Sequence, residues 1–277
     1  MCSDRTRRHA SHLGILLSFA GSGALAQKPP PPPEPVAFSL VAETTALAPG
    51  DTAMIGLRFR LDPGWHLYWQ GRSDTGLPPR VKVDLPPGCK AGSLLWPAPV
   101  RHVSPGKILD HVHENELLLM LPVHVLESAA PGDSLRFAAE ADWVVCKEVC
   151  IFGKGRAQAV FPVAASPAPS SEALLFVKAR ERLPESMESA ARELILSWNA
   201  DELDITSPPF QRMEFYPFTD SAELIDPIAD AVTETGRLRL RFRSGDERPA
   251  RGLIALFHAA SKPPRFFTVD SQSPSEN

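Results

Sequence analysis

Between residues 36 and 163, apolar and polar positions alternate with a period of two, in short runs separated by turn residues. The cleanest run is 53–61, where Ile55, Leu57, Phe59 and Leu61 fall on one side. Runs at 38–42, 81–85, 116–125, 134–141, 143–151 and 157–162 follow the same rule. Pro49-Gly50-Asp51, Pro63-Gly64, Pro87-Gly88 and Pro131-Gly132-Asp133 supply turns between them. About seven short strands at this spacing predict an immunoglobulin-like β-sandwich over residues 36–165.

The pattern then changes. Residues 165–171 are a Pro/Ser/Ala linker. Residues 172–196 read as helical, with Leu174, Leu175, Val177, Leu183 and Leu194 as the apolar candidates. Pro184 breaks that stretch, so the expected helix has about three turns and ends near Arg182. After Pro208-Pro209, strand-like runs return at 212–218, 237–242, 251–257 and 265–269. The expected fold is mainly β: a sandwich (36–165), a linker and short helix (166–200), a second smaller β domain (201–270) and a polar tail (271–277).

The N-terminus sets the expected compartment. Arg5, Arg7 and Arg8 precede an apolar run at 13–25, which closes on Ala24-Leu25-Ala26. This is the pattern of a cleaved secretory signal over residues 1–26. The run is shorter than the ~20 apolar residues of a membrane span. A proline-rich spacer occupies 27–35 and should form a stiff polyproline II segment. The formal net charge is −4, and it becomes more negative once the signal's arginines are removed. No basic patch points to nucleic acid. No later apolar run could span a bilayer, since Pro122 and His124 break the best candidate. The mature chain is therefore expected to be exported and soluble, without a membrane span.

The candidate chemistry lies in the cysteines. Without Cys2 in the signal, Cys89, Cys146 and Cys150 remain. An odd number in an oxidising compartment implies a free or transiently paired thiol. Three pairings are possible. Residues four apart in an extended strand lie about 13 Å apart, whereas a disulfide needs Cα atoms within roughly 7 Å. A Cys146–Cys150 bond therefore requires the segment between them to turn. So short a loop adds little stability through chain entropy, and a short, accessible bond exchanges readily. A short structural disulfide is the alternative. Lys147 and Lys154 are local cations that would favour a thiolate, opposed by Glu148. Cys89 follows Pro87-Gly88 on a turn and reads as incidental.

Several motifs resemble one known family. They are Pro63-Gly64-Trp65-His66-Leu67-Tyr68-Trp69, Asp74-Thr75-Gly76-Leu77-Pro78-Pro79, Leu95-Trp96-Pro97-Ala98-Pro99, Glu116-Leu117-Leu118-Leu119 and Asp142-Trp143-Val144-Val145-Cys146-Lys147-Glu148-Val149-Cys150-Ile151. In this order they resemble the N-terminal domain of the DsbD thiol:disulfide interchange proteins, especially the ScsB-like branch. The resemblance implies a redox-active Cys146/Cys150 pair with Cys150 forming the mixed disulfide. It implies a periplasmic protein-disulfide reductase relay, of the kind linked to cytochrome c biogenesis, with no cofactor. Electrons would pass from a membrane-embedded thiol reductase or thioredoxin-like donor to periplasmic client proteins. Trp65, His66, Tyr68, Trp69, His111, His113, Lys147 and Phe152 are the candidates for the cap or neighbourhood of the pair. The family commonly has Ile-Pro after the second cysteine, where this chain has Ile151-Phe152. Phe152 is accordingly an extra cap or a docking hydrophobe. Family members continue into a membrane domain and a thioredoxin-like domain. Neither follows within this sequence, so the donor is expected to be another protein.

Two other functions compete. His111-Val112-His113 places two imidazoles on one strand face, which together with the cysteines would suit copper or zinc. A polar sheet face explains the same motif without a metal, and no metal ligand is assigned. The other alternative is a non-catalytic immunoglobulin-like binding module.

Overall fold

The alternating runs become strands, and every strand pair is antiparallel. The structure is a computed structural model, and it describes Met1 and residues 34–190, 193–207, 210, 212–257 and 263–272. The signal, its cleavage site and nearly all of the proline spacer lie outside the described residues, as do residues 273–277 of the tail. In chain order the strands of the first region are β1 (Val36–Ala42), β2 (Thr52–Leu61), β3 (His66–Tyr68), β4 (Arg80–Asp84), β5 (Cys89–Ala91), β6 (Val100–Ser104), β7 (Ile108–Glu114), β8 (Glu116–Val125), β9 (Ser134–Cys146) and β10 (Cys150–Pro162). The helices α1 (Ala173–Arg180) and α2 (Met187–Ala190) follow. Then come β11 (Ile195–Asn199), β12 (Glu202–Thr206), β13 (Arg212–Pro217), β14 (Val232–Thr233), β15 (Arg237–Arg241), β16 (Ala250–Phe257) and β17 (Arg265–Ser271). Among the described residues, no helix is long and apolar enough to cross a membrane.

The first region is an immunoglobulin-like sandwich. One sheet has the order β1-β2-β8-β5, and the other runs β10-β9-β3-β7-β6. The short strands β3 and β4 share one side of β9: β3 pairs with its Cys146 end and β4 with residues 138–142. Ile55, Leu57 and Phe59 of β2 are fully buried and meet Phe137, Ala139 and Val145 of β9 in one core. Each large side chain there contributes about 1.5–3 kcal/mol by burial.

Two expectations need correction. The run 143–151, read as one strand, holds a hairpin turn. Residues 134–146 form one continuous strand, and residues 147–149 reverse the chain. β10 then pairs with β9 along its whole length, from Cys150↔Cys146 to Pro162↔Ser134. Gly153 makes this possible beside a large aromatic: a Cβ there would lie 2.1 Å from Nε1 of Trp143. The helix is also shorter than expected. α1 has 8 residues and ends at Arg180, and the end of the stretch read as helical is the start of β11. Pro184 separates the pieces, as its missing N–H and ring clash require. α1 lays Phe176 against Leu118 and Met120 on the outer side of β8.

The later strands build two further sheets, β11-β12-β15 and β14-β13-β16-β17. Leu203, Ile205, Phe215, Leu240, Ile254 and Phe267 share their core. A separate cluster joins this region to the sandwich, formed by Trp69 and Ala98 with Tyr216, Leu253 and Phe266. Arg72 reinforces it, donating from its backbone N to Pro217 O at 2.9 Å and from Nη2 to Ser221 O at 2.8 Å.

Candidate functional site

Cys146 and Cys150 end the two long strands of the sandwich and face each other across the hairpin. Their Cα atoms are 4.1 Å apart, and the sulfurs are bonded. The turn of Lys147, Glu148 and Val149 closes the gap that a straight strand would leave. The two cysteines are unequal: Cys146 is 3% exposed, whereas Cys150 is exposed. Cys150 is therefore the member of the pair that solvent reaches, although its sulfur also lies 3.8 Å from the Tyr68 hydroxyl. Val149 and Phe152 lie on either side of Cys150 in the sequence and are themselves 65% and 87% exposed.

A chain of hydrogen bonds runs from the buried sulfur. The Tyr68 hydroxyl lies 2.9 Å from Sγ of Cys146 and 2.9 Å from Oγ1 of Thr75. Thr75 donates from Oγ1 to Oδ2 of Asp110 at 2.7 Å and from its backbone N to Oδ1 at 3.0 Å. Each hydroxyl has one proton. That of Thr75 goes to the carboxylate, which leaves its oxygen free to accept from Tyr68. With the disulfide closed, the Tyr68 proton has a good acceptor in Thr75 and a weak one in sulfur. A Cys146 thiolate would be the stronger acceptor. Burial pushes the Tyr68 pKa up, and Asp110 adds to that while Thr75 opposes it, so the phenol remains a donor. Gly76 lets the 71–79 loop lie on the tyrosine ring, since a Cβ there would sit 2.0 Å from Cε2 of Tyr68.

Strand alternation sorts the other candidate residues. His66 pairs with Cys146 across β3 and β9. Its ring stands edge-on to Tyr68 at 5.4 Å and lies 5.0 Å from His102. Burial, then His102, lowers its pKa, so His66 is neutral at neutral pH. Val112 packs with Tyr68, Cys146 and Val144. His111 and His113 flank Val112 on β7 and therefore point to the other side of the sheet. His111 takes Arg72 O at 2.6 Å through Nδ1 and meets Trp69 and Tyr216 edge-on. Trp69 is fully buried at the junction cluster, stacked on Phe218. Trp65 packs half-buried against the sandwich core.

The neighbourhood expected for Trp69, His111 and His113 thus belongs to Val112, Thr75 and Asp110 instead. The proposed union of the H-x-H motif with the cysteines is ruled out by the sheet lying between them. Among the described residues, no three His, Cys, Asp or Glu side chains converge as metal ligands. Lys147 directs Nζ to Pro63 O at 3.3 Å, and Lys154 lies 3.7 Å from Asp142. On β7 only the histidines stand out in the sequence, and the alternation that places them on one face places Asp110, Val112 and Glu114 on the other.

The sequence of the sandwich matches the family model for the N-terminal domain of the thiol:disulfide interchange protein DsbD, over residues 33–162. This sandwich is a DsbD N-terminal-like domain. The N-terminal periplasmic domain of ScsB from Proteus mirabilis has a similar fold, with a TM-score of 0.51 at 12% identity. That similarity covers 85% of this chain and 92% of the ScsB domain, so it extends past the DsbD-like domain into the later sheets. The reduced DsbD N-terminal domain of Neisseria meningitidis is matched over 47% of this chain and 90% of its own, at 17% identity and a TM-score of 0.26. No curated protein matches the chain.

Proposed function

We propose that the chain is a periplasmic thiol-disulfide exchange protein that passes electrons through Cys146 and Cys150 to disulfides in client proteins. The observation that carries this reading is the asymmetry of the pair, one cysteine exposed and the other buried, with the tyrosine hydroxyl 2.9 Å from the buried sulfur and 3.8 Å from the other. A thiolate of a thioredoxin-like or membrane-embedded reductase attacks Sγ of Cys150. A mixed disulfide forms, the Cys146–Cys150 bond breaks, and Cys146 leaves as a thiolate that takes the Tyr68 hydrogen bond. The donor's second thiolate then attacks its own sulfur in the mixed disulfide and releases Cys150 as a thiolate, which is protonated from solvent. Client reduction runs the same steps with Cys150 as nucleophile and Cys146 as the resolving thiol. Val149 and Phe152 serve as docking hydrophobes beside Cys150, since their exposure suits a partner surface better than a lid.

In this reading residues 36–165 are the exchange module, 166–200 the connection and 201–270 an accessory β domain. Residues 1–26 direct export. Mass analysis of exported protein is expected to find a chain beginning at Gln27, and one still beginning at Met1 would contradict it.

Equilibration in glutathione buffers tests the chemistry. The pair is expected to open at potentials above about −300 mV, the boundary below which structural disulfides typically lie. A bond that stays closed to that limit would make the domain a stapled binding module.

A further inference from the structure

A cavity of about 150 Å³ lies where the sandwich meets the later sheets, walled by Arg101, Arg182, Arg212, Glu214, Tyr216 and Phe266 among others. Three guanidinium groups reach it from three separate segments: β6, the chain after α1, and β13. One buried carboxylate faces them, and a second, Glu234, lies 3.6 Å from Nε of Arg212 at the exposed rim. Glu214 is 3% exposed, and both its oxygens are taken. Oε1 accepts from Nε and Nη2 of Arg212 at 3.1 and 2.5 Å, and Oε2 accepts from the Tyr216 hydroxyl. Arg182 donates to the carbonyls of Ala98 and Pro99 and lies over the Phe266 ring, 5.0 Å from its centroid. Arg101 donates from Nη2 to the carbonyls of Pro227 and Ile228, both at 2.9 Å. Its Nε is buried and has no hydrogen-bond partner among the described residues.

The wall therefore carries three positive charges against the buried Glu214 and the rim carboxylate of Glu234, with a buried donor left over. Buried charge is costly without a counter-charge, and an unmade buried hydrogen bond is costly as well. Carbonyl oxygens satisfy some donors but leave the net charge. Guanidinium groups match the planar and tetrahedral faces of oxyanions. The volume is below the ~300 Å³ at which pockets for drug-sized ligands begin, so the fitting ligand is small. Arg212 is half-exposed, which gives the cavity an open rim. We infer that this junction cavity binds one small oxyanion of the phosphate or sulfate class, held by Arg101 and Arg182 with Arg212 at the rim. The bound anion would tie the sandwich to the later sheets. The inference does not rest on the exchange chemistry.

Titration calorimetry and thermal unfolding with inorganic phosphate, against chloride at matched ionic strength, test it on the full chain. The expected result is saturable one-to-one binding and an unfolding temperature that climbs with phosphate, as mass action requires. Arg101→Gln should abolish both. Glu214→Gln removes the buried negative charge and should tighten phosphate on the order of tenfold, the effect of one like charge a few ångströms away. If the cluster were only an intramolecular clamp, phosphate would act like chloride and both substitutions would merely destabilise. No saturable binding by the parent protein, or unchanged or weaker binding by Glu214→Gln, overturns the inference. The parent and Glu214→Gln titrations decide it even if Arg101→Gln does not fold.

Discussion

In the proposed exchange, Tyr68 is the residue on which the chemistry turns. It sits on a strand of only three residues, wedged between the buried sulfur of Cys146 and the Thr75–Asp110 pair. When the disulfide opens, the leaving sulfur is the buried one, and burial penalises its negative charge. A hydrogen bond to a charged group offsets about 1.5–3 kcal/mol of that. Tyr68→Phe keeps the ring under Gly76 and removes the hydroxyl alone. Reduction of the pair by dithiothreitol, followed by thiol titration, should slow on the order of tenfold, which is the lower end of that range. Unfolding by urea should change little. An unaltered reduction rate would remove Tyr68 from the mechanism. The tyrosine and the cysteines were legible in the sequence because they lie in distinctive motifs. Asp110 was not, because an aspartate in Ile-Leu-Asp-His-Val-His gives no sign of its partner until the strand pairing is known.

At the scale of elements, the strands that the sequence discloses best are those with a regular apolar alternation, such as β2, where Ile55 to Leu61 alternate cleanly. β7 shows only its H-x-H pair in the sequence, because both its faces are largely buried and both carry polar side chains. β11 stayed hidden because its leucine and isoleucine extend an apparent helical spacing. The hairpin at 147–149 lacks glycine and proline, so no turn signal interrupts the run from Trp143 to Ile151. β7 also carries a measurable consequence. Burial, partly offset by the Arg72 carbonyl, pushes His111 down to about 4. Burial and then Arg182 push His113 down to about 3. Both are therefore neutral in the fold, while in the unfolded chain they take up protons below about pH 6.5. Their contribution to stability is complete above that pH and is lost as pH falls toward 4 and 3. The slope is up to about 1.4 kcal/mol per pH unit for each histidine. Urea midpoints should fall between pH 6.5 and 4.5, before most carboxylates titrate. His113→Leu should flatten the profile. An equally steep profile in that variant would place the acid sensitivity elsewhere.

The whole molecule separates holding from exchanging. Trp69, Tyr216 and Phe266 join the two β regions on one side of the β3–β7 ladder, while Tyr68, Val112 and Cys146 form the redox pair's surroundings on the other. The long β9–β10 hairpin carries the cysteines out to its tip, where Cys150 meets solvent beside Val149 and Phe152. The free thiol of Cys89, at the edge strand β5, is raised in pKa by burial. This arrangement gives the two redox cysteines different fates when one is removed. With Cys146→Ala, Cys150 can still attack or be attacked, but nothing resolves the product, so mixed disulfides with a thioredoxin-like donor or a client should accumulate. With Cys150→Ala, the remaining sulfur is buried and cross-links should be far fewer. Cys89→Ala should behave as the parent. Non-reducing electrophoresis of the three variants, expressed with their periplasmic partners, is the most direct measurement. The account predicts trapped complexes in Cys146→Ala alone; equal trapping by Cys150→Ala, or none in either, would contradict it.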